Sequence, residues 1–244
     1  MMLFCCVGFA QDKEVMVVRQ TDGKEVCCDV TMVKRVYVRT ESVCVDLGLP
    51  SGLKWATCNL GAARPEEYGD YYGWGCTAPY AAGDDVNWTL YFKRVGGTGT
   101  GSSDCGTGKD PLKDYMNYVY HKSIAGTKWD AARKKLGGRW RMPTQEEVVE
   151  LRNTDNCKWL WTMGNGVYGY RVTSKHNGNY IFLPAAGCRF DDSLIGAGSV
   201  GHYWTSETCP LESDSAESFY IHSDGFLWYD EERYIGFPIR PVTD

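Results

Sequence analysis

Large aromatic side chains set among glycines constrain this chain more than any other feature. Its 244 residues include 16 Tyr, 9 Trp and 8 Phe beside 28 Gly. Flat, bulky side chains separated by tight turns suit short strands and packed loops better than a helical bundle. The length allows one medium domain with a real core plus a short appendage. With 43% apolar and 23% charged residues, the chain is neither a disordered tail nor a multi-span membrane protein. The net charge is −5. The densest basic run, Arg133 to Arg141, is followed at once by Glu146, Glu147 and Glu150. No basic patch therefore offers itself to a polyanion, and nucleic acid is not an expected partner.

Residues 1–10, MMLFCCVGFA, form an apolar run with small residues at Gly8 and Ala10, the pattern of a signal-peptidase site before Gln11. The run is too short to span a bilayer. It reads as a signal-peptide remnant, which places the protein in the periplasm, at the cell surface or outside the cell. Removing it leaves nine cysteines, an odd number with no CxxC and no Cys/His zinc spacing. Most are expected to be small buried residues, and neither a metal nor another cofactor is expected.

Residues 11–43 read as a β-hairpin appendage: EVMVVRQ and KEVCCDV flank Thr21-Asp22-Gly23, and VKRVYV supplies a third strand. Residues 96–108, GGTGTGSSDCGTG, read as a flexible surface insertion without a binding role. Two helices are legible in the main domain, residues 44–244. One covers Lys128 to Leu136 and stops at Gly137-Gly138. The other begins after Thr144, where Thr144-Gln145-Glu146-Glu147 is a capping box and Val148 and Leu151 face inward. Ile181 to Ala186 reads as a buried strand. Trp55, Trp74, Trp140 and Trp204 read as core. Breaks at Asn165-Gly166, Asn177-Gly178 and Asp224-Gly225 mark short antiparallel strands beyond Asn153.

Six ordered blocks carry a resemblance: DLGLPSGLKWATCNLGAA at 46–63, PEEYGDYYGWG at 65–75, GGRWRMPTQEEVVEL at 137–151, NGNYIFLPAAG at 177–187, GHYWTS at 201–206 and GFPIRPV at 236–242. Together they resemble the FISUMP family of exported bacterial domains over about residues 44–242. The resemblance implies an α+β class, a C-type-lectin-like fold with two helices, small twisted antiparallel sheets and extensive loops, here with the short N-terminal β appendage. It implies no established activity.

Enzymatic relatives of that fold do not transfer. Formylglycine-generating enzymes use a cysteine pair near the C-terminal end, whereas Cys188 and Cys209 are far apart and no cysteine follows Cys209. The iron-dependent sulfoxide synthases need three clustered histidines, and this chain has only His121, His176, His202 and His222, without a helical i, i+4 pair. There is no G-x-S-x-G, Walker loop or H-E-x-x-H, and the triplets of calcium-dependent sugar binding are missing. The acidic runs Asp191-Asp192 and Asp230-Glu231-Glu232 read as solvated turns. An enzyme is therefore not expected.

What remains is a loop surface. The resemblance directs attention to the C-terminal half, where Arg189, Phe190, Asp191, Asp192, His202, Tyr203, Glu207, His222, Asp224, Phe226, Trp228, Tyr229 and Asp230 mix aromatic and charged groups suited to a glycan or a protein ligand. Strand alternation puts Phe226 and Trp228 on one face and Leu227 and Tyr229 on the other. Three other classes remain: a variable protein of a diversity-generating retroelement, whose C-terminal segment is similar to Gly236–Val242; an enzyme related to formylglycine oxidases; and a structural module of a surface assembly.

Overall fold

A computed structural model describes residues 4–10, 13–19, 25–29, 44–98, 111–112, 122–209 and 212–244. The chain divides into two compact units, Met1–Thr40 and Glu41–Asp244. In the first, β1 (Phe4–Ala10), β2 (Lys13–Arg19) and β3 (Glu25–Asp29) form an antiparallel meander in that order. The apolar run read as a leader remnant thus supplies β1, and the hairpin around residues 21–23 is β2–β3. The third strand expected at 33–38 and the Gly-rich residues 99–108 lie outside the described residues.

The second unit begins with β4 (Cys44–Asp46) and β5 (Lys54–Ala56). Helix α1 (Trp88–Val95) follows. The Asn87 side chain accepts from the Leu90 N–H at its start, and left-handed Gly96 ends it. Helix α2 (Ala131–Leu136) is capped by Asp130. Helix α3 (Gln145–Arg152) opens on the capping box: Thr144 Oγ1 accepts from Glu147 N at 3.3 Å and Glu147 Oε2 accepts from Thr144 N at 2.8 Å. Nine strands come next: β6 (Cys157–Gly164), β7 (Val167–Ser174), β8 (Tyr180–Pro184), β9 (Cys188–Phe190), β10 (Ser193–Ile195), β11 (Val200–Thr208), β12 (Ser215–His222), β13 (Gly225–Glu232) and β14 (Val242–Thr243). They form meanders β6-β7-β8 and β11-β12-β13, the hairpin β9-β10, and a closing sheet β14-β5-β4 that joins the two ends of the unit.

This architecture corrects the fold class expected from the sequence. Strands make up 39% and helices 13%, so the protein is β-rich rather than an α+β lectin-like fold. Three helices, not two, are bounded among the described residues, and each is only six or eight residues long. A helix of that length is marginal alone and exists because its apolar side is packed. Among the described residues, no helix is long and apolar enough to cross a membrane.

Strand β11 divides the core. Its adjacent residues Tyr203 and Trp204 point to opposite faces, as strand geometry requires, yet both are fully buried. The first core surrounds Trp204 with Tyr72, Trp74, Tyr91, Phe92 and Phe237. Trp204 Nε1 donates to the Tyr72 carbonyl at 2.7 Å, and Trp74 Nε1 to the Thr205 carbonyl at 2.9 Å. The second core gathers Leu47, Trp55, Val148, Leu151, Val172, Leu183, Tyr203 and Phe219. Trp55, Trp74 and Trp204 are thus core, as is the Ile181–Ala186 run. Trp140 is not: it is only half-buried, and Met142 is the buried side chain of its block. The reason is local, since Trp140 ends the turn after Gly137, ahead of the Arg141–Val242 bridge that ties this segment to β14.

Arg240 is buried without a carboxylate partner. Its guanidinium donates to Asn59 Oδ1 and to the carbonyls of Ala56, Thr57 and Phe182, at 2.6–2.9 Å. Four fixed acceptors satisfy the planar fork and hold the β5 end, β8 and the 236–243 segment together. Among the described residues Cys44, Cys58, Cys76, Cys157 and Cys188 are free thiols.

Candidate ligand-binding site

A group of partly exposed aromatic side chains lies where the second core opens, between the β6–β7 hairpin and β13. The hairpin turns on Asn165-Gly166, both with positive φ (47° and 85°), the two-residue geometry that matches strand twist. Asn165 Nδ2 donates to Glu66 Oε1 at 2.6 Å, which ties the turn to the body and holds the Glu66 carboxyl below its usual range. The register pairs Trp159 with Val172, Trp161 with Tyr170 and Met163 with Tyr168, placing these side chains on one face. Gly169 lets β8 approach β7, because a Cβ there would strike the Leu183 carbonyl and Pro184.

A continuous row of rings results. Tyr168 stacks on Trp161 (6.3 Å between centroids), and Trp161 and Trp159 each meet Tyr170 edge-on at 5.1 and 5.3 Å. Trp159 meets Phe226 at 6.0 Å, and Phe226 meets Trp228 at 5.2 Å. Tyr170 is buried, Trp159, Trp161, Phe226 and Trp228 are half-buried, and Tyr168 is 45% and Met163 51% exposed. The row is an aromatic seam with one side in the core and the other in water.

At the Phe226 end the seam deepens into an open cleft of about 460 Å³, within the range of small-ligand sites. Trp159, Tyr170 and Phe226 supply its rings, and Arg152, Lys158 and Lys175 its charges. The Arg152 guanidinium lies 4.4 Å from the centre of the Phe226 ring. No carboxylate or imidazole lines the cleft. Cys157 lines it too, but burial, reinforced by Glu150, pushes its thiol up to about 11. Burial, helped by Asp224, also raises the Tyr170 hydroxyl. Both groups stay protonated near neutrality, so the cleft presents rings and cations but no ready base or nucleophile.

The thirteen residues proposed from the sequence do not form one surface. Phe226 enters the seam and cleft, and Trp228 continues the seam. Tyr229 is exposed, as is Leu227 beside it, so the alternation read along β13 is the one observed. Asp230 is exposed farther along the strand. His222 and Asp224 lie at the β12–β13 turn, where the Asp224 N–H donates to His222 Nδ1 at 3.2 Å. Arg189, Phe190, Asp191 and Asp192 belong to the β9–β10 hairpin. Arg189 there lies over Tyr71, Phe190 packs against Tyr234, exposed Asp191 pairs its backbone with Val86, and Asp192 accepts from Ser193 Oγ.

Three members serve packing instead. Tyr203 is fully buried, stacked on Phe219 at 5.0 Å and donating to the Pro184 carbonyl. Glu207 is buried and accepts from the Gln145 N–H at the start of α3. His202 is wedged between Phe237 and Tyr220, each 4.7 Å away, and burial lowers its pKa to about 4. β11 is covered on both faces along Tyr203 to Thr208, so none of these three stands on an open loop.

Trp159, Trp161, Tyr168, Tyr170 and Arg152 were missed by sequence reasoning. A signal was present: W-x-W and Y-x-Y alternate about Asn165-Gly166, which puts all four rings on one face of a two-residue hairpin. No family model, curated protein or solved structure matches this chain.

Proposed function

We propose that the chain is an exported, non-enzymatic binding protein of FISUMP type whose Glu41–Asp244 unit holds a glycan against the aromatic seam. The single observation that carries this reading is the seam itself, a row of partly exposed rings that ends in a concave cleft. Sugar rings stack on such faces through their C–H groups, and a concave site of this volume suits a saccharide better than a flat protein partner. The lack of any low-pKa thiol, carboxylate or imidazole in the cleft lining supports binding over catalysis. The apolar run with Gly8 and Ala10 supports export. Cleavage after Ala10 would remove β1 and leave the β2–β3 hairpin.

The test is a glycan array probed with the purified full chain and with a Trp161→Ala/Phe226→Ala variant. Selective retention by the parent protein, lost in the variant while its thermal unfolding stays cooperative, is the expected outcome. Silence of the parent across the array, or equal retention by both proteins, overturns the reading.

A further inference from the structure

The glycan reading leaves the charges of the cleft unused, and they specify the ligand further. Arg152, Lys158 and Lys175 all line it. None of them takes part in an ion pair or donates a hydrogen bond to a carboxylate among the described residues. Arg64, Arg94, Lys135 and Arg141 of the same unit each have an acidic partner. A chain of net charge −5 thus gathers three cations without an ion-pair partner at one concavity, where the nearest carboxylates felt by its lining are Glu150, beside Cys157, and Asp224, beside Tyr170. Asp155 and Asp224 adjoin the cleft in sequence, yet neither lines it, and the Asp224 side chain is 87% exposed.

Arg152 is the most informative of the three. Its guanidinium is held over Phe226, which fixes its position through ring contact and leaves its N–H donors unspent. A planar fork positioned in this way matches a carboxylate or a sulfate through two parallel hydrogen bonds. The cleft's rings and the fork line the same concavity, so one saccharide can place a ring on Trp159 and an acidic substituent on Arg152.

We propose that the seam takes an acidic glycan, a uronic-acid or sulfated saccharide, with its anionic group held by Arg152, Lys158 and Lys175. The proposal rests on the glycan reading and adds the charge of the ligand to it. Neutral sugars would use the rings alone. Acidic sugars would use rings and cations together, and their binding would weaken as salt screens the charges.

The experiment titrates the full chain with three probes of matched length: a neutral gluco-oligosaccharide, an oligogalacturonate and a heparin-derived sulfated oligosaccharide, each at low and high salt. At least one acidic probe is expected to bind about 10-fold more tightly than the neutral one at low salt, and to lose most of that margin at high salt. In Arg152→Gln, and separately in Lys158→Gln/Lys175→Gln, the acidic-over-neutral ratio should collapse toward one. Arg152→Lys, which keeps the charge without the fork, should retain part of it. The two acidic probes separate carboxylate from sulfate recognition.

Neutral and acidic probes binding alike, with ratios unmoved by either Gln variant, would overturn the acidic assignment and leave the seam intact. A parent chain that binds none of the three, and is silent on the array, would bring down both readings. Because Arg152 also packs on Phe226, the lysine pair keeps the test decisive even if Arg152→Gln unfolds.

Discussion

The two cores on either side of β11 are built from the same kinds of residue and end differently. Around Trp204 the rings are closed in, with Tyr72, Trp74, Phe92 and Phe237 fully buried and both indoles donating to main-chain carbonyls. Around Phe219 the packing thins outward until Trp159, Trp161, Phe226 and Trp228 are only half covered. The first core is bordered by α1, α2 and the 233–239 segment. The second meets its edge at the β6–β7 hairpin and β13. An aromatic side chain is therefore structural or available according to what covers the next strand, not according to its own chemistry.

The largest expected effect breaks the comparison on its closed side. Trp204→Ala should cost about 3–5 kcal/mol, measured by urea unfolding, because it opens a cavity and removes one of the two hydrogen bonds to the Tyr72 carbonyl. A cost below about 1 kcal/mol would mean that the first core is not close-packed.

His202 offers the next test. Its folded pKa of about 4 lies below the ordinary 6.5, so the unfolded chain binds a proton that the folded one refuses. The stabilisation is complete above about pH 6.5 and is lost as pH falls from there toward 4, by an amount on the order of 2 kcal/mol. Replacing His202 with Phe should flatten the stability profile across that window. An unchanged slope would remove the buried neutral imidazole from the account.

Thr144→Ala should cost roughly 0.5–2 kcal/mol through the lost cap of α3 while leaving glycan binding intact. Loss of binding at an unchanged melting temperature would place the capping box in the site. The smallest stability effect belongs to the open side. Trp161→Ala should cost about 1 kcal/mol or less, yet weaken glycan retention by about 10-fold or more, since stacking on a half-exposed ring contributes more to a complex than to the free fold. A stability loss matching that of Trp204→Ala would erase the difference between the two cores.

Several local features were legible because they depend on neighbours in the chain. Thr144 and Glu147 announce their capping box by spacing, and Asn165-Gly166 announces its hairpin by its tolerance of positive φ. Trp55, Trp74 and Trp204 read correctly as core. Helix α1 was hidden because Trp88, Tyr91 and Phe92 look like strand residues. Its signals are the flanking Asn87 and Gly96, and tertiary packing of the aromatic side decides the outcome. The α+β assignment followed from the family resemblance, whereas strands of two to nine residues dominate the fold. The thirteen candidate residues are dispersed for a related reason. Charged and aromatic residues near one another in sequence were grouped as loops, but Tyr203 and Glu207 lie on a strand buried on both faces, which only the assembled sheets determine. Trp159 and Trp161 announced the hairpin face, and Phe226 joined them only through tertiary contact.

The Arg240 clamp also bears on when the molecule can fold. Its four acceptors come from Asn59, Ala56, Thr57 and Phe182, and the same segment supplies β14 to the sheet that holds β5. Until residues 236–243 have emerged from the ribosome, β5 has no partner on one side and the carbonyls at 56, 57 and 182 have no donor. The clamp and the closing sheet of the Glu41–Asp244 unit therefore form only once residues 236–243 are present.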